Sequence, residues 1–242
     1  MIKIGCCGFN ISREKYYKIF NIVEVQNTFY KIPEERTLEK WRKEAPENFE
    51  FVVKAYQALT HPPQSPTWRK DPKNKPKDCG YLKPIKENFD AWEKTKKICK
   101  ILRSETVLIQ CPPSFLYNEK NIENMKTFFS EIKRDNLNIA LELRRWDFSK
   151  IMEVCDLLSL IPVFDPLRYP ENIEKVKNRD INYFRLHGLN KREYDYRYSY
   201  SEDEIKNLGN YIGTLSNKVY VFFNNTDMVK DAKKFINFIF KG

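Results

Sequence analysis

The chain has 242 residues, 41% of them hydrophobic and 31% charged, with a formal charge of +10 and a pI near 9.2. That is enough for one large domain or two small ones with a substantial core, and it excludes a disordered chain. No apolar run approaches the ~20 residues that cross a bilayer, so no spanning segment and no membrane partner are expected.

The start, MIKIGCCGF, reads directly as a strand without the pattern of a secretory leader, and a cytoplasmic location is expected. Short β-branched or aromatic runs then recur at 3–7, 22–26, 51–55, 106–110, 139–142, 161–164, 183–186 and 219–223. Between and after them lie stretches with helical periodicity at 34–44, 88–103, 121–133, 148–158, 202–215 and 228–240. A short helix is expected near 13–20 and a weak one after the sixth run. Ser201 and Glu204 stand at capping-box spacing, and Asp227 is placed to cap the last helix. Eight strands alternating with about eight helices predict a single α/β domain over 1–242, a closed (β/α)₈ TIM-type barrel of parallel strands with outer helices. The alternative, an open doubly wound sheet, lacks its dinucleotide fingerprint, since the first turn reads GCCGFN.

One connection breaks the rhythm. Residues 56–86 are far longer than the usual βα loop, carry six prolines, and hold Arg69, Lys70, Lys73, Lys75, Lys77 and Lys83. This reads either as a solvated excursion or as a basic flap with Trp68 and Tyr81 free to stack. Cys6, Cys7, Cys79, Cys99, Cys111 and Cys155 form no C-x-x-C pair and read as buried thiols. Cys6 and Cys7 must point to opposite faces of their strand.

Polar residues gather near the C-terminal ends of the strand runs, where barrels place their sites. In chain order they are Glu24 and Asn27, Lys54, Gln110, Glu142 with Arg144, Asp165, Arg185 with His187, and Asn224 with Asn225. Glu142/Arg144 and Arg185/His187 are two apart, hence on one face of their strands. Glu24, Lys54, Glu142, Arg144 and Arg185 together hold two negative and three positive charges, able to pair internally and still attract an anion. An ion-pair network that closes the barrel without chemistry is the plain alternative.

As chemistry, Glu24 and Glu142 are candidate acid and base, Lys54 a nucleophile or anion clamp, and His187 a proton relay. His61, in a proline-flanked loop, is the weaker histidine. Arg144, Arg185, Asn27, Asn224 and Asn225 are candidate ligand contacts, as are Tyr194 and Tyr198 of the alternating YDYRYSY run. No cofactor is expected, and two histidines cannot build a multi-zinc centre. A single Mg²⁺ or Mn²⁺ on Glu24, Glu142 and Asp165 is the alternative.

Seven motifs in order, GCCGF at Gly5, VEVQNTFY at Val23, FVVKA at Phe51 with LTH ending at His61, QCPPSF at Gln110, LELRRW at Leu141, YFRLHG at Tyr183 and VYVFFNN at Val219, span nearly the whole chain. In these it resembles the YecE-like family of TIM-barrel proteins carrying a domain of unknown function. The resemblance implies the barrel and a polar pocket of Glu24, Asn27, Lys54, Glu142, Arg144, Arg185, His187 and Asn224, and it brings no reaction. The chain departs from the family pattern after the first run, where NISREKYYKIF replaces a tryptophan-rich segment. The expected function is binding or processing of an anionic, phosphorylated or carboxylated small molecule by acid/base chemistry. The alternatives are nucleic-acid binding or processing through the basic segment and tyrosine run, and a non-catalytic sensor.

Overall fold

The computed structural model describes residues 1–192 and 195–241. Eight strands close into a parallel barrel in the order of the sequence, with β8 returning to β1. They are β1 (Ile2–Cys7), β2 (Ile22–Val25), β3 (Glu50–Lys54), β4 (Thr106–Cys111), β5 (Asn138–Leu143), β6 (Ile161–Phe164), β7 (Ile181–Leu186) and β8 (Lys218–Phe223). The helices are α1 (Arg13–Tyr17), α2 (Asn27–Tyr30), α3 (Glu35–Glu44), α4 (Lys86–Leu102), α5 (Glu119–Glu131), α6 (Phe148–Leu158), α7 (Ile173–Val176), α8 (Glu202–Gly213) and α9 (Met228–Lys241). Apolar residues on both strand faces explain why the runs read as continuously hydrophobic: β4 is buried at every position.

By contact density the chain divides into two compact units. The first is Met1–Glu24, Ala45–Glu50 and Val163–Gly242; the second is Val25–Glu44 and Phe51–Pro162. In the first, strand alternation sorts side chains cleanly. Cys6 turns its thiol to the Met228 carbonyl at the start of α9, while Cys7 lies on the other face, 3.6 Å from Arg185 Nη2. Phe223 meets Phe235 of α9, so Phe222, tilted against Tyr183, faces inward. The capping box on α8 is present in full, with Ser201 and Glu204 satisfying each other's backbone N–H groups.

In the second unit, α4 buries Ala91, Trp92, Thr95, Ile98, Cys99 and Leu102, one stripe at helical spacing. The segment after β3 is divided: its start is buried and its aromatic anchors are packed, while most of residues 69–78 are solvated. Residues 55–61 are all buried and include one short 3₁₀ turn, and two more follow at Pro66–Lys70 and Pro72–Asn74. Trp68 is only 3% exposed and donates to the Pro62 carbonyl at 3.0 Å, so it has no face left for a ligand. Tyr81 leans on Phe115 and donates to Ser114. The prolines make this packing possible, because a segment that enters few ladders leaves few amide donors to satisfy. Arg69, Lys70, Lys73, Lys75 and Lys77 do stay exposed. Many surface cations pair locally, as Lys18 does with Glu14 and Lys86 with Asp90, so much of the basic charge belongs to a solvated surface. All six cysteines are free and buried. Among the described residues, no helix is long and apolar enough to cross a membrane.

Candidate functional site

In the second unit, β3, β4 and β5 bring Lys54, Gln110 and Glu142 to their C-terminal ends. Register pairs Gln110 with Glu142 directly. The Gln110 amide oxygen accepts from Lys54 Nζ at 2.9 Å and from Arg144 Nη2 at 3.2 Å, and Arg144 Nε donates to Glu142 Oε1 at 2.8 Å. Lys54 also reaches Gln26 Oε1 at 3.2 Å and lies 4.3 Å over the Phe29 ring. The exit of β5 is pinned beyond the cluster: Arg145 turns left-handed, and Trp146 donates to the Phe115 carbonyl while stacking on its ring.

His61, the weaker histidine by sequence, belongs to this cluster. Its ring meets Phe29 edge-on at 4.9 Å, and its Nδ1 is bonded to Thr60 Oγ1 at 2.8 Å. Burial first, then the positive charges of Lys54 and Arg144, hold its pKa down at about 3. The imidazole is therefore neutral throughout the physiological range. A close reading of LTH could have flagged it only through the buried segment around it, which local periodicity does not reveal.

The first unit holds a second constellation, where β2 and β7 end. Arg185 and Glu24 are both 0% exposed and form an ion pair at 3.0 Å. Tyr183 donates its hydroxyl to the other Glu24 oxygen at 2.5 Å. Arg185 Nη1 points at His187 Nε2, 3.4 Å away, and the His187 ring lies beside Tyr196. Arg185 and His187 thus share one face as their spacing requires, and the face is the interior one. Burial drives the Cys7 thiol and the Tyr183 hydroxyl well above their ordinary pKa values, so both stay neutral beside the pair.

Asp165, just past β6, organises the loop ends. One oxygen accepts from the Leu167 and Arg168 amides, the other from the His187 amide at 3.0 Å. Burial still outweighs these bonds and lifts its pKa to about 6. The folded state therefore keeps a proton that the unfolded chain releases near pH 3.8. Stability from this group is greatest below about pH 4 and falls as pH rises through 6, by at most roughly 3 kcal/mol. The check is the wild-type stability minus that of Asp165→Asn, measured by urea unfolding from pH 4 to 7. A difference that stays flat refutes the assignment.

Several predicted contacts go elsewhere. Asn27 opens α2 rather than ending β2, and its side chain is exposed. Asn225 donates to the Tyr198 carbonyl and to Asp231, a structural role at the start of α9. Asn224 is half-buried, its amide closing onto the Leu186 carbonyl. Tyr198 donates to Glu204 of α8, and Tyr200 is buried, bonded to the Gly188 amide, so neither offers a free ring. Tyr194 lies outside the described residues. For a Mg²⁺ or Mn²⁺ on Glu24, Glu142 and Asp165, the donors do not fit: the oxygens of Glu24 and Asp165 already accept from protein groups. Among the described residues, no three His, Cys, Asp or Glu side chains are placed to hold a metal ion.

The whole architecture has close parallels. The UPF0759 protein YunF of Bacillus subtilis (strain 168) is 28% identical over 246 residues, covering 88% of this chain and 79% of the relative. A DUF72 family protein from Enterococcus faecalis V583 superposes with a TM-score of 0.75 at 23% identity, covering 99% of this chain and 97% of that one. One from Thermotoga maritima MSB8 does so at 0.71 and 24% identity, covering 99% of both chains. At these identities the two structures speak for the fold. A family model described as "Protein of unknown function DUF72" matches residues 12–239, a span that takes in both constellations and the strands β2 to β8 that carry them. The chain belongs to the DUF72 family.

Proposed function

We propose that the protein binds an anionic small molecule, phosphorylated or carboxylated, through Lys54 and Arg144, with Glu142 as the group that moves a proton on it. One observation carries the reading: the Lys54 ammonium and the Arg144 guanidinium converge on one Gln110 oxygen at 2.9 and 3.2 Å, two positive charges beside the single negative charge of Glu142. Gln110, bridging both cations through one oxygen, sets their spacing as a clamp. Glu24, enclosed with both oxygens engaged, serves in this reading to hold the buried Arg185, and His187 is the ligand-side group of the first unit.

The test is calorimetric titration with inorganic phosphate and with acetate against Lys54→Met and Arg144→Met. Each variant is expected to weaken binding about tenfold or more, as loss of a charge-assisted bond requires. Unchanged affinity in both, with thermal melts showing folded protein, removes the clamp.

The rival, nucleic-acid binding, is favoured by one observation, the exposed row of Arg69, Lys70, Lys73, Lys75 and Lys77. It predicts binding to many polynucleotides that collapses steeply with added salt. A small-ligand site predicts saturable binding of one compound class. A sensor would bind the same anion without any turnover that depends on Glu142.

A further inference from the structure

His61 is 5% exposed, its Nδ1 is taken by Thr60, and its Nε2 has no hydrogen-bond partner among the described residues. Nε2 is not among the described side-chain atoms closed off from water without a partner, so this nitrogen keeps its contact with solvent and stands open to a ligand. The ring is not free to swing away. Phe29 meets it edge-on, and the residue's carbonyl accepts from Trp68 Nε1 and Cys79 Sγ while its amide donates to the Gln57 carbonyl at 2.8 Å. Phe29 carries Lys54 over its ring and His61 at its edge, so the open nitrogen and the ammonium share one aromatic support.

Resting on the anion-binding reading above, we infer that His61 is the specificity residue of that site: its Nε2 hydrogen-bonds an uncharged oxygen, a hydroxyl or a carbonyl, carried next to the anionic group of the ligand. The ligand class is then an anion with an adjacent hydroxyl or keto oxygen, such as a 2-hydroxy or 2-oxo carboxylate or its phosphonate counterpart. Two cations supply attraction for the charge, and they recognise any anion of fitting size. A neutral imidazole adds what they lack, because it can donate or accept according to tautomer, and Thr60 Oγ1 can complement either choice. A site built to bond such an oxygen rejects the analogue without it, since its own polar atom is then left unpaired.

The experiment pairs ligands that differ by one oxygen. Lactate and pyruvate are compared with propionate, and hydroxymethylphosphonate with ethylphosphonate, by calorimetry on the full chain. In whichever arm binds, the oxygenated ligand is expected to bind about tenfold tighter. His61→Phe should erase that preference while keeping affinity for the plain anion, and His61→Gln should restore part of it. If His61→Phe does not fold, His61→Gln and the pH series carry the test. The preference among carboxylates should hold steady from about pH 8 to pH 5, whereas an ordinary histidine would gain charge there and tighten every anion alike. No preference in the wild type, or one that survives in the folded variants, overturns the role of His61 and leaves the anion reading standing. No binding in either arm overturns both.

Discussion

Replacing Arg185 by leucine is expected to cost about 3–5 kcal/mol of stability, the largest single effect in the first unit. Both partners of the Glu24–Arg185 pair are fully buried. Removing the guanidinium leaves a carboxylate without its counter-charge in a place water does not reach, with the Tyr183 hydroxyl still donating at 2.5 Å. The double variant Arg185→Leu with Glu24→Leu should recover much of the loss, because burying neither charge costs less than burying one. Urea unfolding of the wild type, both single variants and the double variant measures this directly. A single-variant loss below about 1 kcal/mol would mean that the pair is solvated and that the interior position of Arg185 is wrong.

Gly80→Ala is the second large effect, and it links the long segment after β3 to the candidate site. Gly80 has φ +87°, where a side chain is strained, and a Cβ there would stand 2.6 Å from both the His61 carbonyl carbon and the Pro62 nitrogen. Neither side can yield cheaply. The Gly80 amide donates to the Ala58 carbonyl and to Asn88 Oδ1, and Asn88 Nδ2 in turn holds the Gly80 and Lys83 carbonyls. The expected cost is about 2–4 kcal/mol, from a left-handed torsion plus a backbone collision. Because the collision is with His61 itself, the preference for the oxygenated ligand should fall as well. Gly80→Asn separates the two causes: asparagine tolerates the left-handed torsion, yet its Cβ meets the same atoms, so it should do little better than alanine. Thermal melts check the stability and calorimetry with lactate and propionate the preference, and a well-folded Gly80→Asn with a normal preference would show that the segment relaxes freely.

Much of this was legible before any coordinates. The eight runs fall on the eight strands within a residue or two, because parallel barrel strands buried on both faces leave continuous apolar stretches flanked by polar breaks. The i,i+2 pairs Glu142/Arg144 and Arg185/His187 do share faces, since strand alternation is a local property. What stayed hidden has one cause. That Asn27, just past the second run, opens a helix is not legible, because a four-residue helix such as α2 is too short to print a period. Trp68, Tyr198 and Asn225 looked available because their partners, Pro62, Glu204 and Asp231, are set by loop packing rather than by spacing.

By itself, then, the sequence determined the alternation that makes a barrel, the opposite directions of Cys6 and Cys7, the capping box at Ser201, and the ends of the strands where polar chemistry collects. Each follows from backbone geometry acting over a few neighbouring residues. Only the tertiary structure decided that Glu24 is sealed against Arg185 and Tyr183, that the start of the proline-rich segment is buried, and that His61 joins Lys54 and Arg144. Those outcomes depend on strand register and on burial, which bring together residues many positions apart and change the cost of a charge or an open nitrogen.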